Sequence, residues 1–164
     1  MNKRVLLPCD FSGHSISLVQ AVLSDQSDGP LDLVLCFGFR LDLSTSELLF
    51  VSRSQIIKSV VPKSFVEAIE VIRKEAGSRV DSIRIEPFYG TTQAAFKVFL
   101  EGNKISEIYI YKDFQSRIGH TSSFDITPMA IKMDIVHFVP FKGYSPGVEC
   151  EDSFTEKCLS RVFG

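Results

Sequence analysis

Tryptophan is absent from the 164 residues, and neither sign of charge is in excess. Eighteen Lys and Arg stand against 20 Asp and Glu, a formal net charge of −2. Binding along a phosphate backbone needs a basic surface that displaces counterions, so nucleic acid is not expected as a partner. No apolar run approaches the roughly 20 residues of a membrane span, and no membrane association is expected. No secretory leader shows either. Met1-Asn2-Lys3-Arg4 is followed only by Val5-Leu6-Leu7 before Pro8-Cys9-Asp10, short of the ~7–15 apolar residues that a leader carries. The four cysteines, Cys9, Cys36, Cys150 and Cys158, have the spacing of neither a zinc knuckle nor a redox pair. A reduced, cytoplasmic setting is the matching expectation. Also missing are a Gly-x-Ser-x-Gly nucleophile elbow and a histidine–carboxylate cluster of the kind that holds a metal.

What is present is a core. Hydrophobic residues make up 45% of the chain, and 14 of them are phenylalanine, which reads as packing and not as a stacking platform. A chain of this length buries about two-thirds of its unfolded surface and needs no disulfide or metal to fold. Short apolar runs alternate with segments of helical period. Arg4–Pro8 and Leu31–Phe39 are apolar without alternation, as strands buried on both faces should be. Asp81–Phe88, Glu107–Tyr111 and Ile135–Phe141 read as three more strands. Between them, helices are expected over His14–Gln26, Asp42–Val61, Ser64–Ala76 and from Gly90-Thr91-Thr92 to Gly102, with a short one from Thr127-Pro128 to Met133. Ser44/Glu47 and Ser64/Glu67 have capping-box spacing, and Ala95, Val98 and Phe99 are expected to face inward, in a core with Phe96 and Leu100. This β-α-β alternation predicts an α/β fold, a doubly wound parallel sheet with helices on both faces. Residues 1–141 form that domain. Residues 142–164 are an extension in which Phe154, Cys158 and Val162 predict a short helix.

Val5-Leu6-Leu7-Pro8-Cys9-Asp10-Phe11-Ser12, followed by a helix, resembles the opening of the universal stress proteins. With the strand–helix order, the resemblance covers about residues 3–141. It implies five parallel strands in the Rossmann-like order third, second, first, fourth, fifth. A ligand crevice then lies at the switch point, beyond the carboxyl ends of the first and fourth strands. Those ends carry Pro8-Cys9-Asp10-Phe11 and Lys112-Asp113-Phe114-Gln115. The resemblance implies that Asp10 stands at the adenosine end of a nucleotide. ATP-binding members carry Gly-x-x-Gly, nine residues, then Gly-Ser or Gly-Thr after the fourth strand, where backbone N–H groups meet the phosphates. Here the only glycine from Lys112 to Met133 is Gly119, and Thr121-Ser122-Ser123-Phe124-Asp125 stands where the second glycine would fall.

The ligand-binding candidates are Asp10, Cys9, Phe11, Lys112, Asp113 and Arg117, with no catalytic residue and no metal ligand. Each has a plainer account. Asp10 can cap the first helix. Cys9 can be a small buried apolar residue. Lys112 and Arg117 can be solvated surface charges, which Asp113 and Asp125 offset. His14 and His120 lack a carboxylate partner at diagnostic spacing, and His137 sits inside a strand. The expected function is a universal-stress-protein-like binding or regulatory domain that is not an enzyme and needs no cofactor. Weak binding of AMP or a nucleoside is compatible with it. The alternatives are an ATP- or AMP-binding stress protein, or a small nucleotide-dependent enzyme, with an altered phosphate loop. A third is a dimerisation module whose crevice its own side chains fill. The fifth strand, an apolar edge, is expected to pair two copies into a homodimer.

Overall fold

Five parallel strands form the body of the sheet in the order β3-β2-β1-β4-β6. The structure, a computed structural model, describes residues 2–25, 29–41, 45–112 and 114–140. Strand β1 is Lys3–Pro8, β2 Leu31–Phe39, β3 Val80–Phe88, β4 Glu107–Tyr111 and β6 Val136–Val139. A two-residue strand, β5 (Ser123–Phe124), pairs antiparallel with the end of β2. The expected strand order is therefore the observed one. The C-terminal extension, Asp113 and the Ser44 half of one expected capping box lie outside the described residues.

All nine residues of β2 are buried. Helices cover both of its faces, so no position along it has a solvent side, and the sequence shows no alternation. Helices α1 (Gly13–Asp25) and α4 (Lys63–Ala76) cover one face and share a core with Val5, Leu7 and Leu33. Helices α5 (Gln93–Gly102) and α6 (Thr127–Ala130) cover the other, around Leu6, Cys36, Phe96 and Ile108.

Local chemistry moved several boundaries. The helix expected over Asp42–Val61 is two helices, α2 (Thr45–Leu48) and α3 (Arg53–Val60). Ser52 interrupts them because it closes a full capping box with Gln55 and restarts the helix there. Helix α4 starts at Lys63, one residue before the expected cap, and no side chain caps it; Pro62 leads in. At α6 the capping oxygen belongs to Asp125, which accepts from the Thr127 N–H at 2.9 Å. Thr127 is itself the first helical residue. The inward face of α5 also differs from expectation. Phe96 and Leu100 are buried, whereas Val98 is 67% exposed. Val98 lies two residues from each of them, about 200° away around the helix, so it points outward when they point in.

These placements predict opposite outcomes for neighbouring truncations. Phe96→Ala should cost about 3–5 kcal/mol of unfolding free energy. Val98→Ala should stay within about 0.5 kcal/mol. Urea denaturation of both variants checks the pair, and equal losses would contradict the assigned helix face.

Candidate functional site at the carboxyl ends of β1, β2 and β4

Strand β1 stops before β2 does. Pro8 pairs with Cys36, while β2 continues through Phe37, Gly38 and Phe39. On the other side of β1 lies β4, whose last residue is Tyr111. The switch point between β1 and β4 is where a crevice is expected. In this protein the chain leaving β4 crosses it. The segment from Phe114 to Phe124 passes over the end of β1 and reaches β2, where Ser123 and Phe124 pair with Phe39 and Gly38 in the place β1 has vacated. Arg40 donates its N–H to the Ser122 carbonyl at 2.7 Å.

Asp10 holds the crossing. It is 6% exposed. Its Oδ1 accepts from the Ser12 N–H, the Ser12 hydroxyl and the Ser15 hydroxyl, and its Oδ2 from the Arg117 N–H at 3.2 Å. Burying a carboxylate costs several kcal/mol unless donors replace its water, and here donors come from the turn after β1, from α1 and from the crossing segment. Asp10 is thus engaged within the chain, closing a turn onto the Ser12 N–H and holding the Ser15 hydroxyl of α1.

The other candidates do not converge on one space. Phe11 has a backbone φ of 61°, rare for a residue with a side chain. That turn sets its ring edge-on against Phe37 and Phe65, each at 5.2 Å between ring centres, between the α1–α4 core and the Phe37–Phe39 cluster that Ile118 also joins. Cys9 is buried, and burial pushes its thiol up to about 12 from an ordinary value of 9.0. Lys112 and Arg117 are exposed. The backbone N–H of Arg117 reaches Asp10.

His120, one of the two histidines that the sequence could bring to the crevice, packs its ring on Phe39 at 5.5 Å. Two further residues of this site were not singled out from the sequence. Ile118 packs against the cluster of Phe37, Phe39 and Ile56. Gly38 is the tightest point, since a Cβ there would meet Phe124 side-chain and backbone atoms at 2.6 Å. A glycine inside an otherwise apolar strand is the one sequence signal for such a close approach. A shallow cavity of about 250 Å³ between the ends of α1 and α4, lined by Leu23, Ile72, Glu75 and Arg79 among others, lies at the opposite, amino end of the strands. Arg79 spans it by donating to the last-turn carbonyls of both helices, Leu23 and Ala76. Among the described residues no group of three or more His, Cys, Asp and Glu could hold a metal, and no helix is long and apolar enough to cross a membrane.

The architecture is a doubly wound α/β fold shared with solved structures. The hypothetical protein PH0823 matches with a TM-score of 0.52 and 16% identity, over 88% of this chain and 100% of that one. The hypothetical protein MJ0577, solved for a structure-based assignment of its biochemical function, matches with the same score and identity over 88% and 99%. At this identity the likeness establishes the fold. No family model and no curated protein sequence matches the chain.

Two buried thiols set an alkaline limit to stability. Burial raises Cys9 to about 12 and Cys36 well above 9.0. Between pH 9 and 12 the unfolded chain releases thiol protons that the folded chain retains, so stability is full below pH 9 and falls as pH rises. The urea midpoint should drop between pH 8.5 and 10.5 (assay values, about the thiol range). Cys9→Ala should flatten that slope. At neutral pH, Cys9 and Cys36 should react with a thiol reagent only on unfolding, and fast labelling of Cys9 in the native protein would contradict this burial.

Proposed function

We propose that this chain is a universal-stress-protein-like binding or regulatory domain that is not an enzyme, takes no cofactor and does not hold ATP tightly. One observation carries the reading: the segment that follows β4 lies across the switch point instead of framing it. Asp10, the residue that the family resemblance puts at the adenosine end of a ligand, spends both carboxylate oxygens on the chain's own donors. The stretch where glycines would admit phosphates is Thr121-Ser122-Ser123-Phe124-Asp125, and its Ser123–Phe124 part is a strand against β2. A triphosphate in that space would need to displace Phe124 from Gly38 and the Arg117 N–H from Asp10. It would lose water from its oxygens without converging donors in return. The alternative, a nucleotide-binding stress protein or nucleotide-dependent enzyme, requires this segment to take another path.

Calorimetry with ATP at low salt, with and without magnesium, should show no tight binding. AMP or adenosine should bind weakly at most. A low-micromolar dissociation constant for ATP, about −7 to −8 kcal/mol, would overturn the reading.

The expected partner is a second copy of the chain in the cytoplasm. Strand β6 is an edge strand, paired only with β4 among the described strands, and Phe138 on it is 55% exposed. The strand carries no lysine, proline or bulge of the kind that blunts a sheet edge. Light scattering at tens of micromolar (an assay choice, about the range where modest dimers form) should give the mass of a dimer, and Phe138→Lys should give a monomer. A monomeric wild-type protein would remove this part of the proposal.

A further inference from the structure

The crossing segment is built differently from what it rests on. Its two stems are fixed. Phe114 is buried in the core on the α1–α4 side of the sheet, and Ile126 in the core on the α5–α6 side. Between them, none of the residues 115–125 is fully buried, and Gln115, Arg117, Gly119 and Thr121 are exposed. The eleven residues are closed upon themselves. The Ser116 N–H points to Asp125 Oδ2 at 3.5 Å, tying the two ends of the loop. At its tip the Ser123 N–H bonds the His120 carbonyl at 3.0 Å, and the Ser122 N–H bonds His120 Nδ1 at 3.2 Å. A surface loop of this length with joined ends and internal bonds is an Ω-type loop.

Its described attachments to the rest of the domain lie in three places. One is the bond from the Arg117 N–H to Asp10. The second is the end of β2, with the β5 pairing, the Arg40–Ser122 bond, and the packing of His120 and Ile118 on Phe39 and Phe37. The third is the Phe124 ring, which presses on Gly38, lies beneath the Arg40 guanidinium and packs on Phe88 at 6.3 Å between ring centres, at the edge of the α5–α6 core. Beneath it, β1 and β2 are buried throughout at Val5–Pro8 and Leu31–Phe39. Stability is distributed along such lines: segments with few buried apolar contacts open locally at a small fraction of the global cost.

We propose that residues 115–125 are a lid that moves as one body on the Phe114 and Ile126 stems, with the Asp10 carboxylate as the latch that holds it shut. The inference rests on the reading that the chain itself closes this crevice, and it adds a second, open state. In that state Asp10 loses one donor, and the Phe37–Phe39 floor and the end of β2 are uncovered. Anything that binds there engages only the open fraction, so its apparent affinity is reduced by that fraction.

Amide hydrogen exchange read by mass spectrometry on the full-length protein tests this. In the wild type, peptides within 115–125 should exchange together, at least about tenfold faster than peptides of β1 and β2. Asp10→Asn retains an oxygen for Ser12 and Ser15 but can present an amide N–H₂ to the Arg117 N–H. It should speed exchange of 115–125, and of the Gly38–Arg40 end of β2 that the lid covers, by a further tenfold or so and leave the Leu31–Cys36 part of β2 and α4 unchanged. Gly38→Ala acts at the other attachment, by pressing a methyl into Phe124, and should accelerate the same peptides. It also supplies the answer should Asp10→Asn not fold. Exchange of 115–125 at the same rate as β1 and β2 would overturn the lid, as would uniform acceleration of the whole protein by these variants. That result would leave the calorimetric claim about ATP standing, whereas tight ATP binding would overturn that claim whatever the exchange pattern.

Discussion

The Asp10 carboxylate is the point on which three segments converge. It receives the turn after β1 through Ser12, the first turn of α1 through Ser15, and the segment beyond β4 through the Arg117 N–H. The first two lie within five residues of Asp10 and the third 107 residues away, and nothing else among the described hydrogen bonds joins all three. A buried carboxylate tolerates no missing donors, so each bond constrains the others. With Asp10 satisfied in this way, the chain leaving β4 is drawn across the end of β1.

The rest of the site follows from a difference in strand length. Because β2 outruns β1, its last residues offer backbone groups with no partner on that side. Buried backbone groups must be paired, and β5 supplies the partners in antiparallel sense. Gly38 makes this approach possible, because any side chain there would meet Phe124. Phe11 contributes from the opposite direction. Its left-handed backbone sets the ring against Phe37 and Phe65, contacts that offset the ~1–2 kcal/mol such a conformation costs. The switch point of this doubly wound sheet is thus packed by its own chain, with rings on one side and a short strand on the other.

The fold was readable because its signals are local. Leu31–Phe39 is a strand in the sequence and in the structure, and so is Glu107–Tyr111, since burial on both faces leaves a short run that is apolar but for Asp32 in the first and the opening Glu107 in the second. Boundaries were less legible where two capping signals compete, as at Ser44 and Ser52. The outward turn of Val98 was missed because an apolar residue on an exposed helix face looks no different in sequence from a core one. At the site, Asp10 was recognisable by its place at a strand end. Its partners were not, because Arg117 contributes a backbone N–H and any residue has one.

The sequence by itself determined the class of fold, the order of its elements and the absence of a glycine-lined phosphate loop, because periodicity, caps and glycines act over a few residues. Tertiary structure alone decided what replaces that loop. The pairing of Ser123–Phe124 with Gly38–Phe39, and of Asp10 with the Arg117 N–H, joins residues about 85 and 107 positions apart. Such contacts depend on where β1 ends relative to β2 and on which backbone groups are left unpaired there. No local pattern encodes that relation, because it exists only once the sheet has formed.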